Sequence, residues 1–332
     1  MELIIKPTEA CNFKCTFCSS TNFVDDKKKR LEISKIATFL DRYPDTRTII
    51  VNGGDPLMMP PTYYRDLIHE IEIRKMSTIL SFTTNLWGFY KNPDLWSELF
   101  LHPLVQVSTS FNYGHTRRIT ETDVYTEEIF WKVSNLFLEK IGYRPSFISV
   151  ITEENLDTAI ENVLLAKKMG VECKLNYAMA SGEVARPLLK GKIYKLYLDI
   201  IDQGLADWEY NSKQLLSKSE NKATTCPLNR NCDEGIRCLQ PEGDYYSCGA
   251  FGDDRLYPVN FEKDVIQGIK QKPLKDALEL SHLKDDCLTC PLFSICNGCK
   301  KTISDLKRNN MVEDHCAEMK KNLPRLNSYL LS

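Results

Sequence analysis

The stretch CNFKCTFC, residues 11–18, places three cysteines, Cys11, Cys15 and Cys18, on one short segment. It comes soon after an apolar run, Leu3–Lys6, that is typical of a β-strand. Three thiolates on one short loop suit a [4Fe-4S] cluster held at three of its corners, which leaves the fourth iron open for chemistry. A zinc ion completed by a distant residue would use the same thiolates, and the spacing favours the cluster without excluding zinc.

Outward from this loop, residues 1–205 alternate short β-branched runs with amphipathic stretches. Six strands are predicted: Leu3–Lys6, Thr48–Asn52, Thr78–Thr84, Val105–Ser110, Ser146–Ile151 and Val171–Tyr177. Helices are predicted near Ile33–Arg42, Pro61–Lys75, Pro93–Phe100, Glu127–Glu139 and Glu153–Met169. Strict alternation indicates an α/β fold with parallel strands, either a doubly wound sheet or a (β/α) barrel with fewer than eight units.

Polar residues collect where the predicted strands end, which is where parallel α/β folds place function. Gly53, Gly54 and Asp55 follow the second strand, Asn85 follows the third, and Ser108 lies late in the fourth. Taken alone, Asn85 is equally well explained as a turn former and Ser108 as a helix cap. The carboxyl edge of the sheet is therefore the expected site.

The two motifs together, C-x-x-x-C-x-aromatic-C and then Gly-Gly-acid-Pro one strand later, resemble the radical S-adenosylmethionine (radical SAM) superfamily. The resemblance covers about two thirds of the chain and implies a partial (β/α)6 barrel. It also implies an activity. In that family the open iron binds the amino and carboxylate groups of SAM, an electron from the cluster cleaves the sulfonium, and a 5′-deoxyadenosyl radical abstracts a hydrogen atom from the substrate.

The resemblance assigns roles to the residues of these two motifs. It implies that Phe17 packs near the adenine of SAM and that the backbone of Gly53 and Gly54 meets the methionyl ammonium, because glycine permits close approach. Asp55 belongs to the same segment, although the family usually has Glu there. The implied ligands of the catalytic cluster are Cys11, Cys15 and Cys18.

Further along the chain, the resemblance implies two more groups of SAM contacts. Asn85 and Ser108 match strand-end positions near the ribose and the methionine. A carboxylate-binding arginine is expected after the fourth strand, at Arg117 or Arg118, and we favour Arg118.

A second set of cysteines runs from Cys226 to Cys316. Taken alone, the run Cys287–Cys299 would suit a structural zinc site. Beside the radical SAM motifs it resembles the SPASM extension, which carries two auxiliary [4Fe-4S] clusters. One implied cluster has the ligands Cys232, Cys238, Cys248 and Cys299. The other has the ligands Cys287, Cys290, Cys296 and Cys316.

Two cysteines stay outside these assignments. Cys226 is a possible hydrogen-atom donor to a substrate radical, with a spare ligand or a structural thiol as the alternatives. Cys173 falls in the sixth predicted strand, where a buried apolar role is the simpler interpretation.

These patterns predict four segments. Residues 1–205 form the partial barrel and the polar residues 206–225 form a linker. Residues 226–316 form an auxiliary-cluster region whose short apolar runs need the cofactor for stability, and residues 317–332 form a terminal helix.

Composition sets the remaining limits. The 332 residues carry a formal net charge of −2, which gives no overall attraction to nucleic acid or to anionic lipid. No apolar run approaches the ~20 residues of a membrane span, and the N-terminus lacks the features of a signal peptide. The 13 cysteines are clustered and odd in number, which favours metal ligands in a reducing compartment over disulfides. We therefore expect a soluble, cytoplasmic protein.

The expected function is that of a radical SAM enzyme, with the substrate left between two hypotheses. The first is modification of a ribosomal peptide or protein by crosslinking, epimerisation or oxidation. The second is oxidation or epimerisation of a small polyol, aminocyclitol or sugar. The first strand begins at Leu3, so we expect no N-terminal leader-binding domain, which weighs against the first. A flavodoxin- or ferredoxin-like electron donor is the expected partner. A zinc-stabilised binding module with a degenerate barrel is the alternative from another class.

Overall fold

A computed structural model describes residues 1–22, 28–180, 183–184, 186–219, 235–255, 258–264, 287, 289–296 and 299–330. Its strands are Glu2–Ile5 (β1), Thr48–Val51 (β2), Ile79–Thr83 (β3), Val105–Ser110 (β4), Phe147–Ile151 (β5), Cys173–Tyr177 (β6), Ile236–Leu239 (β7) and Tyr245–Tyr246 (β8). Its helices are Ile33–Arg42 (α1), Pro61–Ile73 (α2), Trp87–Lys91 (α3), Pro93–Phe100 (α4), Glu127–Ile141 (α5), Ala159–Met169 (α6), Lys190–Asp202 (α7), Tyr210–Ser219 (α8), Gly249–Asp254 (α9), Phe293–Cys296 (α10), Lys300–Arg308 (α11), Val312–Lys321 (α12) and Leu323–Leu330 (α13).

The chain divides into two compact units, which are described separately. The first unit comprises residues 1–148 and 233–263. Its strands lie in the order β5-β4-β3-β2-β1-β7-β8, and all pairs are parallel except β7 with β8. Helices alternate with strands along the sequence, as a parallel sheet with crossover connections requires. The predicted α/β fold class, with a cysteine-rich C-terminal region, is confirmed.

Aromatic side chains from several elements fill the core of the first unit. The Phe82 ring of β3 lies 4.8 Å from Tyr64 of α2 and 5.7 Å from Phe100 of α4, measured between ring centroids. Phe137 of α5 extends the cluster, 5.2 Å from Phe89 of α3. All five side chains are almost completely buried. The edge-on and tilted ring pairs stabilise the packing of helices on the sheet.

Local sequence signals explain where α5 begins and ends. The Thr126 side chain accepts a hydrogen bond from the Ile129 N–H at 3.4 Å, which caps the first turn. The first turn also carries two glutamates, which interact favourably with the helix dipole. Gly142, with φ of 95°, adopts the left-handed conformation that ends the helix.

Strand β7 departs from the prediction. The sequence placed Cys238 and its hairpin in a separate cysteine-rich region, whereas β7 pairs in parallel with β1 and belongs to the first unit. The predicted hairpin itself is present as β7 and β8, with Gly243 at φ 87° in the turn. Pairing of a four-residue strand across more than 200 residues leaves no local pattern in the sequence, because strand partners are chosen by tertiary packing.

The second unit comprises residues 149–232 and 264–332. It contains the end of β5, strand β6, and helices α6, α7, α8 and α10–α13. Helix α7 packs closely on α12: a Cβ atom on Gly191 would lie 2.7 Å from the Met319 nitrogen. The Asn322 side chain also donates a hydrogen bond to the Gly191 carbonyl at 2.8 Å. These contacts fix the start of α7.

The predicted linker, residues 206–225, is largely helical where it is described. It begins with a 3₁₀ turn at Ala206–Trp208 and continues into α8, where Asn211, Ser212 and Leu215 are buried. The buried Glu209 carboxylate caps this helix by accepting hydrogen bonds from the Ser212 N–H and hydroxyl, both at 2.6 Å. A polar composition therefore concealed an ordered helix whose polar groups are satisfied internally. The predicted terminal helix, residues 317–332, is likewise two helices, α12 and α13, and the first already begins at Val312.

Within the described parts of the chain, no helix combines the length and the apolar character that a bilayer span requires.

Candidate active site

The loop that carries the first three cysteines is fixed to a neighbouring segment by its backbone. The Lys14 N–H donates to the Arg118 carbonyl at 2.8 Å, and the Thr16 N–H donates to the Thr116 carbonyl at 2.9 Å. The Phe13 side chain is buried between Tyr125 and Trp87. The loop is therefore held in place by protein contacts on both its backbone and its apolar side chain.

The three thiols of this loop lie near one another and differ in exposure. Cys15 is buried, whereas Cys11 and Cys18 are partly exposed. Burial raises the pKa of the Cys11 thiol, and the Asp55 carboxylate and the other two thiols raise it further. Three free cysteines on one short loop, close enough to interact electrostatically, fit a cluster bound at three corners.

Gly53 and Gly54 are required by the backbone of the cysteine loop. A Cβ atom on Gly53, which has φ of 124°, would lie 2.5 Å from the Thr8 carbonyl oxygen. One on Gly54 would lie 2.2 Å from the Ala10 carbonyl oxygen. The Gly54 N–H donates to the Thr8 carbonyl at 2.9 Å. The close approach that glycine permits is thus an approach to residues 8–10, which sets the position of Cys11.

Replacement of Gly54 by alanine is expected to destabilise the fold by roughly 1–3 kcal/mol and to reduce iron loading, because the new methyl group displaces the loop. Denaturant unfolding and iron analysis measure the two effects. Gly235→Ala is the matched control, since nothing lies within 4 Å of its Cβ position. Equal stability and iron content in both variants would contradict the proposed packing.

Asp55 is completely enclosed and accepts hydrogen bonds from three residues. The Leu57 N–H donates at 2.9 Å, the Asn85 N–H at 2.8 Å, and the Thr84 hydroxyl lies 2.9 Å from Oδ2. Burial raises the pKa of the Asp55 carboxyl to about 6, although these hydrogen bonds favour the charged form. Asp55, which follows β2, thus connects the end of β2 to the end of β3 by hydrogen bonds, and the donors to its carboxylate are all protein groups.

Asn85 connects the end of β3 to the cysteine loop. Its side-chain nitrogen donates to the Asn12 side-chain oxygen at 2.7 Å and lies 3.9 Å from the Cys11 sulfur. Its side-chain oxygen accepts from the Trp87 N–H at 2.8 Å. The Ser108 hydroxyl, by contrast, donates to the Phe82 carbonyl at 3.0 Å within the sheet. Of these two predicted contacts, only Asn85 touches the loop.

The arginine whose side chain lies at the cysteine loop is Arg117, whereas the sequence favoured Arg118, which contacts the loop through its backbone carbonyl. Arg117 is buried, its guanidinium lies 5.1 Å from the centre of the Phe17 ring, and it donates to Ser110 at 2.9 Å. Arg118 bonds its own loop through the His115 carbonyl at 2.9 Å. Adjacent residues of an extended segment point in opposite directions, so a register error of one residue exchanged them.

A buried charged group that the sequence did not indicate lies beneath the loop. The Lys6 ammonium donates to Asp253 and lies 3.4 Å from Glu9, which in turn accepts from the Ser20 hydroxyl at 2.6 Å. Burial opposes the charge on Lys6, but the two carboxylates outweigh burial and raise its pKa. The available signal was a lysine that ends the first predicted strand, five residues before Cys11, the first residue of the cysteine motif.

Cys238 is the thiol that β7 brings close to this charged group. It is fully buried and packs with Tyr246 and Phe251. Burial raises the pKa of the Cys238 thiol to about 12, and the Lys6 charge opposes this shift. Cys248 packs against the same cluster and is partly exposed. Two of the four predicted ligands of the first auxiliary cluster thus lie within one unit.

The remaining ligands of that set are placed as follows. Cys299 is partly exposed and directly precedes α11 in the second unit. Cys232 lies outside the described residues, as does Cys226, the predicted hydrogen donor. The assignment of this cluster stays a prediction.

The second unit brings the other four predicted ligands to one pocket, here called the second cysteine pocket. Apolar side chains, among them Leu292, Ile303 and Met319, line it together with His315. Its four thiols are partly exposed and belong to Cys287, Cys290, Cys296 and Cys316. An apolar pocket lined by four cysteines has the residue types that the four-cysteine ligation of a [4Fe-4S] cube requires.

Cys173 lies in β6 with 1% of its surface exposed. Burial raises the pKa of this thiol, and nearby Glu209 and Glu172 add to the shift. These observations agree with the structural role expected from the sequence.

A parallel α/β sheet with a three-thiol loop after its first strand defines a class of enzymes that hold a catalytic iron–sulfur cluster. The family model for the Radical SAM superfamily matches residues 5–189. The chain therefore belongs to the radical SAM superfamily. The predicted membership of this superfamily is confirmed, as are a [4Fe-4S] cluster and SAM as cofactors, whereas the SPASM-type character of the C-terminal region stays a prediction.

Curated relatives match part of the chain. Over 160 residues it is 22% identical to GTP 3′,8-cyclase of Vibrio vulnificus (strain YJ016), and over 164 residues it is 24% identical to GTP 3′,8-cyclase of Vibrio parahaemolyticus. Each match covers 47% of this chain and 46% of the relative. The chain thus spans less than half the length of the curated relatives it matches.

Solved structures match more of the chain. Native anSMEcpe with bound AdoMet and Cp18Cys peptide has a TM-score of 0.71 at 16% identity, over 99% of this chain and 98% of that one. Streptococcus suis SuiB bound to precursor peptide SuiA has a TM-score of 0.56 at 18% identity, over 89% of this chain and 70% of SuiB. At these identities the likeness is one of fold.

Proposed function

We propose that this radical SAM enzyme modifies a peptide or protein substrate by abstracting a hydrogen atom from it. The observation that carries the proposal is the full-length similarity of fold to anSMEcpe, which was solved with a bound peptide and matches 98% of its own length. SuiB, solved with its precursor peptide, supports the same substrate class. The GTP 3′,8-cyclases match only residues that amount to 47% of the chain, so they give weaker support for a nucleotide substrate.

When bound, the cluster and SAM supply the 5′-deoxyadenosyl radical. The residues of this chain hold and orient these groups. Cys11, Cys15 and Cys18 are the proposed ligands. Asn85 orients the loop at Cys11 through its bond to Asn12.

Arg117 and Phe17 form one side of the proposed SAM site. The buried guanidinium over the aromatic ring provides a positive charge for a carboxylate and a flat apolar surface for an adenine. We therefore assign to Arg117 the carboxylate-binding role that the resemblance implied for Arg118.

The cysteine-rich region favours an oxidative outcome. A substrate radical left after hydrogen abstraction gives up one electron and one proton when it becomes a new double bond, so that electron needs an acceptor. Four-cysteine clusters, which have no open iron, suit electron transfer. A flavodoxin- or ferredoxin-like protein is the proposed source of the electron that starts each turnover.

The proposal predicts that 5′-deoxyadenosine formation depends on a peptide. Purified anaerobic enzyme is incubated with SAM, dithionite and synthetic peptides encoded by reading frames adjacent to its gene, with deuterium at the side-chain β-carbons. We expect a peptide to increase 5′-deoxyadenosine formation by about tenfold or more over the substrate-free rate. We also expect deuterium from the peptide to appear in the 5′-deoxyadenosine.

The same assay with a set of cyclitols, sugars and GTP is the comparison. Stimulation and deuterium transfer by a cyclitol or sugar, with no effect of any peptide, would instead establish the small-polyol hypothesis. Stimulation by GTP alone would establish a nucleotide substrate.

A further inference from the structure

The second cysteine pocket has a buried cation beside it. Lys190, the first residue of α7, has 1% of its surface exposed. Its ammonium donates to the Cys296 carbonyl at 2.9 Å and lies 5.7 Å from the centre of the Tyr194 ring. A buried ammonium is costly unless an anion compensates it.

Among the residues that the structure describes, no carboxylate forms an ion pair with Lys190. Lys301, equally buried in the same unit, shows the usual solution, since its ammonium lies 2.5 Å from the buried Asp305 carboxylate. The Lys190 ammonium instead contacts two uncharged groups, a carbonyl and an aromatic ring. The negative charge that Lys190 requires is therefore not supplied by a described side chain.

His315 is a second polar group enclosed at this pocket. Its ring has 1% exposure, Nε2 lies 3.7 Å from the Cys296 sulfur, and Nδ1 has no hydrogen-bond partner among the described groups. With its proton on Nε2, the imidazole would donate a hydrogen bond to the Cys296 sulfur.

Both residues are held rigidly at the pocket. Lys190 begins α7, whose second residue, Gly191, contacts the backbone of α12 so closely that no Cβ atom fits there. His315 belongs to α12, next to Cys316. The cation and the imidazole therefore both approach Cys296 from closely packed helices.

We infer that Lys190 and His315 raise the reduction potential of an iron–sulfur cluster bound by Cys287, Cys290, Cys296 and Cys316. The inference rests on the proposed ligand set of this second cluster. A cube bound by four thiolates is anionic, and it becomes more so when it accepts one electron. A nearby positive charge and a hydrogen bond to a ligand sulfur both stabilise the reduced form. This cluster is thereby suited to accept the electron released by the substrate.

The test is a redox titration of the full chain, followed by the electron paramagnetic resonance signal of the reduced clusters. The background is the C11A/C15A/C18A chain, which leaves only the auxiliary clusters. Lys190→Met and His315→Phe are each expected to shift one of the two auxiliary potentials to a lower value and to leave the other unchanged. Iron content is expected to stay at about eight per chain.

Lys195→Met is the matched control, because Lys195 lies on the same helix but has 61% of its side chain exposed. It is expected to leave both potentials unchanged. An equal potential in Lys190→Met and Lys195→Met would refute the role of Lys190. Loss of about four irons in His315→Phe would also refute the inference for His315, since it would make the imidazole an iron ligand.

If the Lys190→Met protein does not assemble the second cluster, Lys190→Arg, which keeps the positive charge, replaces it in the test. Retention of cluster and potential in Lys190→Arg would support the role of charge. Failure of both variants to load would assign Lys190 to packing and overturn the inference. A parent chain with no auxiliary iron would refute the second cluster itself, and this result is independent of the substrate proposed above.

Discussion

Replacing Cys15 by alanine is expected to abolish reductive cleavage of SAM. Cys15 is the buried cysteine of the cysteine loop. The N–H groups of its neighbours, Lys14 and Thr16, each donate a backbone hydrogen bond that holds the loop in place. Two thiolates cannot hold a cube and keep its fourth iron open, so we expect the loss of about four irons per chain. The rate of 5′-deoxyadenosine formation should fall by more than about 1,000-fold, because the reaction has no alternative centre.

The control for this variant is Cys173→Ala, which makes the same chemical change at a buried thiol in β6. It is expected to cost about 1 kcal/mol of stability through the small cavity it leaves, with iron content and rate unchanged. If the Cys15→Ala protein still released 5′-deoxyadenosine at the parent rate, the assignment of the catalytic cluster to this loop would be wrong.

The strands and the catalytic motif were predictable because both are local patterns. Alternation of apolar and amphipathic runs placed β1–β6 within about two residues of their observed bounds. The location of Asn85 beside the cysteine loop was also predictable, because the carboxyl ends of neighbouring parallel strands meet at one edge of a sheet. The bond from Asn85 to Asn12 is the result of that geometry.

Tertiary contacts decided what the sequence could not. The choice between Arg117 and Arg118 depends on the register of an extended segment, which is set by the backbone bond between Lys14 and Arg118. The pairing of β7 with β1 depends on which edge of the sheet remains free. The burial of Lys190 depends on α7 packing against α12, and α7 was not among the predicted helices.

Asp55→Ala is expected to produce the largest loss of stability of any site variant outside the cysteines. It leaves the Leu57 N–H, the Asn85 N–H and the Thr84 hydroxyl without their acceptor in a fully buried place. Unsatisfied buried donors cost about 1–3 kcal/mol each, and since such costs are not additive we expect a total of about 3–5 kcal/mol. Urea unfolding of the cluster-free protein measures it, with the exposed Asp66→Ala as control.

Asp55→Asn tests the charge at this position through pH. Because burial raises the pKa of Asp55 from 3.8 to about 6, the folded protein binds this proton more tightly than the unfolded chain does. The protonated Asp55 carboxyl therefore contributes fully to the free energy of unfolding below pH ~4, and this contribution is lost as the pH rises through ~6. At about 1.4 kcal/mol per pKa unit, the loss is about 3 kcal/mol.

The difference in unfolding free energy between the parent chain and Asp55→Asn should consequently shrink by about 3 kcal/mol between pH 4 and pH 7, because asparagine does not titrate. A difference that instead grew over this range would mean that the hydrogen bonds from Leu57, Thr84 and Asn85 outweigh burial. Asp55 would then stabilise the fold as a charged acceptor at neutral pH, and the structural connection between β2, β3 and the cysteine loop would depend on its ionisation. The direction in which this free-energy difference changes with pH therefore decides whether Asp55 stabilises the fold as a neutral carboxylic acid or as a carboxylate.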